Sequence, residues 1–525
     1  MKQNKKQSSI EINDDFRKAL QIMDNSKEHV FITGKAGTGK STLLEYFRTI
    51  TKKKVVVLAP TGVAALNVKG QTIHSFFKFK PNITLDQIRM NNKKNADKNT
   101  FFLELDTIII DEISMVRADL LDCIDKFLRL NGPEQTKPFG GIQMIFIGDL
   151  YQLPPVVTRQ ERLLFSTAYS TPYFFSAHVF DQLEITLIEL NKIYRQHDEE
   201  FIRILNAIRN NSIVSEDIDF LNQRFIPDYE PHPEKFFIHL TTTNIIADSV
   251  NNMQLGKIKN ALFTFTGTIE GNFSQEYLPT LVNLQLKKGS QIMMLNNDIF
   301  SRWVNGSMGK IVDIELSQNG NNIETAIIIE LSNGNLVTVL PYTWEIFNYS
   351  IQGGHLQSNT VGTFTQYPIM LAWAVTIHKS QGKTFDHVII DIGKGTFAHG
   401  QIYVALSRCP SLNGLILRKP LNKKHIWMDY NVVKFLTRYQ YKKAEQACSF
   451  EEKVTILQNA IAHGGQLRIV YLKPNDQKTE RIILPEIVGE MEFNYVNYIG
   501  VKAFCFTRQE HRIFRVDRIL ELEPL

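Results

Sequence analysis

A glycine-rich loop near the N-terminus carries the residues with the clearest chemistry. Positions 34–41 read Gly-Lys-Ala-Gly-Thr-Gly-Lys-Ser and directly follow the apolar run Val30–Ile32. Glycines let backbone N–H groups approach phosphates, and the helix that begins near Ser41 adds its N-terminal dipole. Lys40 would neutralise the β- and γ-phosphates, and Ser41 would hold Mg²⁺. The pattern predicts a nucleoside triphosphate site, with ATP and Mg²⁺ as the default ligands, formed by Gly34, Ala36, Gly37, Thr38, Gly39, Lys40, Ser41 and Thr42.

Two acidic residues follow a second apolar run. Ile108–Ile110 leads directly into Asp111 and Glu112. A strand that ends in acids places Asp111 where it can bind the Mg²⁺ shell. Glu112 then lies beside the γ-phosphate as a base for water, so hydrolysis is predicted as well as binding. A third apolar run is followed by Gln152, which would contact the γ-phosphate; an ordinary polar loop residue is the alternative.

These residues need a parallel sheet to bring them together. Short apolar runs alternate with amphipathic stretches, which is typical of α/β proteins. A second such pattern starts near Leu187, with a helix over Glu199–Arg209 and a strand over Phe236–Leu240, and it resumes from Ile369 to about Arg418. The candidate strands of the first pattern are Val30–Thr33, Val55–Ala59, Thr107–Ile110 and Gln143–Ile147.

Between the two parts of the second pattern the sequence changes character. Residues 291–363 contain β-branched runs and Asn-Gly pairs at 305–306, 319–320 and 333–334, which are hairpin signals. We therefore predict a small all-β insert within an α/β protein.

Composition narrows the class of protein. A length of 525 residues suggests three to four domains, and 43 % hydrophobic with 22 % charged residues exclude a disordered chain or a fibre. The net charge of +5 permits a polyanionic partner without requiring one. Four scattered cysteines without a CxxC pair indicate a reducing compartment. Apolar runs are too short for a membrane helix. We expect a soluble, cytoplasmic protein without a membrane partner, associated with the nucleoid if the source is bacterial.

An ordered series of motifs resembles the PIF-type (petite integration frequency) group of superfamily-one DNA helicases over residues 15–420. The motifs lie at 34–42, 59–65, 72–76, 111–115, 138–143 and 148–155, and then at 190–196, 373–384 and 403–408. The resemblance implies two RecA-like domains with ATP in the cleft between them. It also implies a small wedge insertion near 78–100 in the first domain and an SH3-like fold for the β insert. Such helicases move 5′ to 3′ on single-stranded DNA, and they unwind forked or 5′-tailed duplexes and often G-quadruplexes. We expect a monomer.

The resemblance also assigns roles by motif position. Arg195 and Arg408 become arginine fingers that reach across the cleft, and Gly382 joins the nucleotide-binding residues. Small hydroxyl, amide and backbone N–H groups suit phosphates that are bound without sequence preference. Phe76, Phe77 and Phe79 would stack on bases, with core packing favoured for two of the three. The implied DNA contacts are Thr61, Gly62, His74, Ser75 and Phe76 in the first domain and His378, Lys379, Ser380 and Gln381 in the second.

One position departs from the family pattern. These helicases usually carry a Gln upstream of the phosphate loop that reads adenine. Phe16 stands at that position here, with Asn13 nearby as a candidate substitute.

The C-terminal segment resembles a WYL domain on residues 466–471, 481–485 and 503–519, although Ile499-Gly500-Val501 replaces the Trp-Tyr-Leu triplet. That family has a small Sm-like β fold with a basic pocket for nucleic-acid ligands. A small-molecule regulatory site and a solvated strand face are the alternatives. The candidate pocket residues are Tyr471, Arg508, Arg512 and Arg518.

The sequence thus predicts an ATP-dependent DNA helicase whose C-terminal module binds or gates single strands. A RecD-like motor subunit and a ligand-regulated ATPase without unwinding are the rivals. The predicted domains are 1–186 and 187–298 with 364–430 (RecA-like), 299–363 (β insert), 431–449 (linker helix) and 450–525 (WYL-like).

Overall fold

The structure is a computed structural model that describes residues 11–80, 83–90, 101–157, 159–232, 235–319, 322–352, 355–393, 395–396, 398–475 and 477–525. It divides into two compact units, residues 1–205 with 214–426 and residues 206–213 with 427–525. Within the described ranges, no helix is long and apolar enough to cross a membrane. Most of the wedge insertion predicted near residues 78–100 lies outside these ranges.

The first sheet has six parallel strands in the order β3-β2-β4-β5-β1-β6. Apart from the half-buried Val55, the residues of strands β2, β4 and β5 are buried, because parallel sheets are covered on both faces. These strands therefore read as continuous apolar runs. All four predicted strands are confirmed. The strands are β1 (His29–Gly34), β2 (Val55–Ala59), β3 (Gln71–Thr72), β4 (Thr107–Ile110), β5 (Gln143–Ile147) and β6 (Ile185–Leu190), and the helices are α1 (Asp14–Asn25), α2 (Lys40–Ile50), α3 (Gly62–Asn67), α4 (Ile73–Phe77), α5 (Ala118–Asn131) and α6 (Arg159–Ala168).

The predicted domain boundary at residue 186 needs a correction. It falls inside β6, which pairs along the whole of β1, with Ile188 opposite Ile32. The first sheet therefore extends to Leu190. The sequence suggests a second α/β pattern from residue 187, because β6 is the last strand of the first sheet in chain order and directly precedes the second domain.

The second sheet has four parallel strands in the order β18-β7-β19-β20. The predicted helix over Glu199–Arg209 is confirmed. The strands are β7 (Ile238–Thr241), β18 (Ala374–Thr376), β19 (Val388–Asp391) and β20 (Leu415–Leu417), and the helices are α7 (Glu199–Arg209), α8 (Ser215–Asn222), α9 (Asn244–Lys257) and α10 (Gln401–Leu406).

The β insert is longer than predicted. Its antiparallel strands run from Phe263 to Leu371, not only from 299 to 363, and form sheets with the orders β14-β13-β12-β11-β17, β15-β16-β9 and β10-β8. β11 and β17 pair with each other, so both belong to the insert. The strands are β8 (Phe263–Thr266), β9 (Thr268–Gly271), β10 (Asn283–Leu286), β11 (Gln291–Met294), β12 (Met308–Asn319), β13 (Asn322–Leu331), β14 (Leu336–Val339), β15 (Tyr342–Gln352), β16 (His355–Gln366) and β17 (Ile369–Leu371).

The second unit consists of two helices and a five-stranded antiparallel sheet in the order β24-β23-β22-β21-β25. Ser449 and Glu452 form a capping box that starts the second helix, so the predicted boundary near residue 450 is matched by a helix start. Leu457 of that helix packs on Ile469, Ile483 and Val501 of the sheet. The elements are α11 (Tyr430–Ala447), α12 (Phe450–His463), β21 (Leu467–Leu472), β22 (Lys478–Phe493), β23 (Val496–Cys505), β24 (Glu510–Arg515) and β25 (Ile519–Pro524).

Candidate nucleotide and DNA site

The glycine-rich loop joins β1 to α2. Gly37 and Gly39 have φ values of +80° and +85°, in the left-handed region that favours glycine. A Cβ on Gly37 would lie 2.5 Å from the Cβ of Arg195, so this position has no room for a side chain. The Lys40 ammonium donates to the carbonyls of Gly34 and Lys35 at 2.7 and 3.0 Å. Its charge is therefore held against the loop that is predicted to bind phosphates.

The two predicted acids follow β4 at the same edge of the sheet. Asp111 is buried, and Glu112 has a φ of +51°, an uncommon conformation for a non-glycine residue that is often found at functional sites. Burial raises the pKa of both carboxyl groups, and the charge of Lys40 opposes the rise. The charge of Arg408 also opposes the rise in the pKa of Glu112. The pair therefore lies in a dry environment that favours added positive charge.

A side chain of the second sheet's loops bridges the cleft to these residues. The Nε2 amide of Gln381 donates to Oε2 of Glu112 and to Oε1 of Gln152, at 3.1 Å each. Gln152 in turn donates to the Asp149 carboxylate at 3.3 Å. The structure thus brings the predicted base and the predicted γ-phosphate contact together through Gln381, which the motif pattern predicts as a DNA contact.

The two predicted arginine fingers have different settings. Arg195 follows β6 and lies against Gly37, and its guanidinium donates across the cleft to the carbonyls of Gly382 and Ser407, at 3.1 and 3.4 Å. Arg408 is 1 % exposed and keeps its hydrogen bonds within its own domain. Its acceptors are the carbonyls of Ser380, Lys383 and Val404 and the hydroxyl of Ser407.

Tyr403 is a cleft residue whose role the sequence did not reveal. It lies on α10, is 4 % exposed, and accepts a hydrogen bond from the backbone N–H of Ala36 at 2.9 Å. Tyr403 is the first residue of the motif at 403–408. The motif does not indicate, however, that its side chain contacts the phosphate loop. The Ala36 N–H, which is predicted to bind phosphate, thus donates to a side chain from the second domain.

The DNA contacts predicted for the first domain lie at two helix starts. Thr61 caps α3 and is exposed, and Gly62 follows it as the first residue of that helix. His74, Ser75 and Phe76 lie on α4 and are each half-buried. Phe77 and Phe79 are buried in a cluster of aromatic rings, which agrees with the prediction that two of the three phenylalanines are core residues.

The second domain's predicted DNA contacts are only partly exposed. Lys379 is exposed, and His378 is half-buried, which lowers its pKa. Ser380 is fully buried and its hydroxyl donates to the Ile377 carbonyl at 2.7 Å, so a DNA contact through this hydroxyl does not hold. Gln381 points into the nucleotide cleft. The physical reason is a tight turn, in which the N–H groups of Ser380, Gln381 and Lys383 donate to the carbonyls of Thr376, His378 and Ser380. This turn leaves Lys379 exposed and buries Ser380.

Comparisons with known proteins agree with this site. A family model described as PIF1-like helicase matches residues 9–219, and one described as UvrD-like helicase C-terminal domain matches residues 371–410. The ATP-dependent DNA helicase Pif1 of Bdellovibrio bacteriovorus is 31 % identical, covering 82 % of this chain and 93 % of the relative. The chain belongs to the PIF1-like helicase family. Human ATP-dependent DNA helicase PIF1 is 33 % identical over 74 % of this chain and 58 % of its own length.

Solved structures of PIF1-like helicases share the fold. A Bacteroides Pif1 in complex with ADP-AlF4 has a TM-score of 0.75 at 35 % identity, covering 83 % of this chain and 98 % of that one. A Bacteroides Pif1 bound to single-stranded DNA has a TM-score of 0.60 at 35 % identity with the same coverage. The predicted α/β helicase fold is confirmed.

The departure of this PIF1-like chain at position 16 has a structural counterpart. Phe16 is 2 % exposed, and its ring would lie 3.1 Å from a Cβ on Gly39 of the phosphate loop. The Asn13 side chain accepts from the Phe16 N–H at 2.9 Å and donates to the Tyr194 hydroxyl at 3.2 Å. Asn13 therefore caps α1 and positions Tyr194, and both groups of its amide are engaged.

The C-terminal unit contains a family match of its own, a WYL domain over residues 452–524. The predicted pocket residues separate into two places. The Tyr471 ring packs edge-on against Phe514, and its hydroxyl accepts from the Arg515 N–H at 3.4 Å. Arg518 lies near Tyr441 in a cavity of about 210 Å³. That cavity is lined by Tyr430, Val433, Lys434, Thr437, Tyr441, Pro474, Arg515, Asp517 and Arg518.

Arg508 and Arg512 do not line this cavity, and their charges act on Lys473. Burial lowers the pKa of Lys473, and the charges of Arg481, Arg508 and Arg512 lower it further. Arg512 pairs with Glu510 at 2.7 Å. Neither Lys473 nor Arg481 is among the pocket residues predicted from the sequence, although Arg481 lies in the stretch 481–485 that resembles a WYL domain. Both belong to the β21–β22 hairpin, where the basic residues Lys473 and Lys478 flank the turn.

Proposed function

We propose that this ATP-dependent DNA helicase translocates 5′ to 3′ on single-stranded DNA and unwinds forked or 5′-tailed duplexes, with G-quadruplexes as a further substrate. The Gln381 bridge carries the proposal, because Gln381 contacts Glu112 and Gln152 and lies in the same turn as the predicted strand contacts His378 and Lys379. A change at either end is then transmitted to the other. A Bacteroides Pif1 helicase described in complex with ADP-AlF3 and single-stranded DNA supports simultaneous binding of nucleotide and strand.

The nucleotide cleft fits ATP with Mg²⁺. The Asp111 carboxylate and the Ser41 hydroxyl are hard oxygen donors of the kind that Mg²⁺ prefers. The dry surroundings that raise the pKa of both acids favour an added cation. When bound, Mg²⁺ neutralises charge on the phosphates. The Lys40 ammonium exchanges the carbonyls of Gly34 and Lys35 for phosphate oxygens.

Hydrolysis follows from a rearrangement of the same side chains. Glu112 takes the proton of the attacking water once the Gln381 amide releases its carboxylate. Arg195 already spans the cleft, and Arg408 exchanges carbonyl acceptors for phosphate oxygens as the domains close. Arginine fingers of this kind contribute about 10³–10⁵ in rate in related NTPases. After phosphate release these side chains return to the contacts seen here.

Movement on DNA follows if the two domains hold the strand alternately. The first domain offers the helix starts at Thr61 and His74, and the second offers His378 and Lys379. We further propose an SH3-like fold for the β insert, a strand-separating wedge near 78–100, and an Sm-like C-terminal module that binds or gates single strands. We also propose that the protein binds DNA and hydrolyses ATP as a monomer, and that it is located in the reducing cytoplasm. A solved structure at 36 % identity is described as showing DNA unwinding at forked double-stranded DNA by two coordinating Pif1 helicases.

Displacement of streptavidin from biotinylated single strands tests this proposal. The full chain is mixed with ATP and strands that carry biotin at the 5′ or the 3′ end, and ATP hydrolysis is followed with and without DNA. We expect DNA-stimulated hydrolysis and faster displacement from the 3′ end. Faster displacement from the 5′ end would overturn the polarity. Hydrolysis indifferent to DNA would favour the ligand-regulated ATPase.

A further inference from the structure

A loop of the β insert exposes two large apolar side chains next to each other. The loop joins β11 to β12, and Ile299 and Phe300 at its tip are 84 % and 74 % exposed. Single exposed apolar residues are ordinary, whereas contiguous apolar surface is typical of binding sites. The question is therefore whether this tip is mobile or fixed.

One carboxylate fixes the tip. Asp298 accepts from the N–H groups of Phe300 and Arg302 at 2.9 and 3.1 Å. The same carboxylate receives a two-point hydrogen bond from the Arg302 guanidinium, at 2.9 and 2.7 Å. Arg302 lowers the pKa of Asp298 to about 2, so the carboxylate stays charged at neutral pH. The exposed side chains thus project from a closed, hydrogen-bonded turn.

The same arginine supports the aromatic ring at the tip. The Arg302 guanidinium carbon lies 5.5 Å from the centroid of the Phe300 ring and 4.6 Å from that of Trp303. Trp303 is buried in the insert core, and its indole N–H donates to Asn296 at 3.0 Å. A ring held this way loses little freedom on binding. Asp298 is the only acid among residues 295–307, and its charge is paired, so the tip does not repel a polyanion.

The base of the loop is tied to both halves of the predicted DNA path. The Asn305 amide donates to the side-chain oxygen of Asn67 at 2.9 Å, at the end of the helix that Thr61 caps. Asn305 also accepts from the Lys383 ammonium at 2.5 Å, two residues after Gln381. Lys383 is buried, so this contact is a fixed part of the fold. The base of the loop therefore contacts both RecA-like domains, at the helix that Thr61 caps and at the turn that carries the predicted strand contacts His378 and Lys379.

We propose that Phe300, together with Ile299, is a base-stacking element that holds an unstacked nucleobase of the translocated single strand. An aromatic ring with a supporting guanidinium is the side-chain arrangement that stacks on bases without reading their sequence. Continuity with the predicted strand contacts selects DNA over a protein partner. The inference rests on the proposed function, since it requires that a strand follows this path.

Binding of a fluorescent single-stranded oligonucleotide to the full chain tests the proposal, with Phe300→Ala, Phe300→Tyr and Leu336→Ala compared with the wild type. Leu336 is a matched control, because it is 65 % exposed on β14 of the same insert but lies outside the loop. Loss of one stacked base corresponds to about 5- to 150-fold weaker binding. We expect that loss in Phe300→Ala, near wild-type affinity in Phe300→Tyr, and no change in Leu336→Ala.

Two further readouts separate stacking from other effects. The salt dependence of binding should be the same in Phe300→Ala and the wild type, because it counts phosphate contacts. A single abasic site is then placed at successive positions along the strand. At one position the abasic site should weaken binding by the wild type but not binding by Phe300→Ala. Equal affinity and equal abasic sensitivity in the two proteins would overturn the stacking role alone. Failure of the wild type to bind single strands would overturn the proposed function as well.

Discussion

The Tyr403 hydroxyl offers a direct way to perturb nucleotide binding. It accepts the Ala36 N–H at 2.9 Å, and that N–H is one of the loop donors predicted to bind phosphate. The nucleotide and the tyrosine therefore compete for the same donor. Removing the hydroxyl with Tyr403→Phe should destabilise the nucleotide-free state, because the hydrogen bond to Ala36 is lost there. The nucleotide-bound state should lose no contact.

The magnitude follows from one hydrogen bond. An intramolecular hydrogen bond contributes about 0.5–1.5 kcal/mol net, which corresponds to a change of about 2- to 12-fold in a binding constant. The larger value applies if Ala36 stays buried without an acceptor, since both Ala36 and Tyr403 are less than 10 % exposed. We expect Tyr403→Phe to bind ADP and ATP more tightly by this factor when DNA is absent.

Equilibrium titration with a fluorescent ADP analogue measures the effect. Tyr367→Phe is a matched control, because Tyr367 is also buried and its hydroxyl donates to the carbonyl of Thr325 in the β insert. The control should lose stability in thermal unfolding without any change in nucleotide affinity. Unchanged or weaker ADP binding in Tyr403→Phe would refute the idea that the hydroxyl competes with phosphate.

Three further predictions concern other parts of the molecule. Glu112→Gln should retain nucleotide and DNA binding while single-turnover hydrolysis falls by about 10²–10⁴; near wild-type turnover would remove Glu112 as the base. Because Phe16 offers no hydrogen bond and the Asn13 amide is engaged, kcat/KM for ATP and GTP should agree within about tenfold, since a neutral hydrogen bond is worth about 1 kcal/mol; a hundredfold preference for ATP would contradict this. In a plot of log binding constant against log salt concentration for single strands, Arg481→Ala should reduce the magnitude of the slope by about 0.7. Arg468→Ala should leave the slope unchanged, because the Arg468 guanidinium is paired with acids. Equal slopes in the Arg481→Ala variant and the wild type would exclude Arg481 from the DNA contacts.

The sequence predicted the first sheet well because its signal is local. Val55–Ala59, Thr107–Ile110 and Gln143–Ile147 are buried on both faces, so each is a short apolar run with clear ends. The insert was predicted too short for the opposite reason. β8 alternates between half-buried and exposed residues, and β11 pairs with β17 across more than seventy residues, which no local pattern reveals.

The candidate site shows the same division. Motif spacing located the phosphate loop, Asp111, Glu112 and Gln152, because each follows a strand at the same edge of the sheet. Spacing did not reveal where side chains point. Ser380 is directed into its own turn and Gln381 into the cleft, and neither direction is encoded in residue type. The sequence did not indicate the role of the Phe300 loop, because the loop is held in place by the Asp298–Arg302 contact.

Strand displacement on duplexes with a 5′ or a 3′ single-stranded tail, with ATP hydrolysis followed in the same tubes, tests the central claim most directly. The cross-cleft bridge from Gln381 to Glu112 predicts that hydrolysis and unwinding rise together. We expect unwinding from the 5′ tail only, with hydrolysis stimulated by DNA. No unwinding from either tail, with hydrolysis unaffected by DNA, would contradict the account.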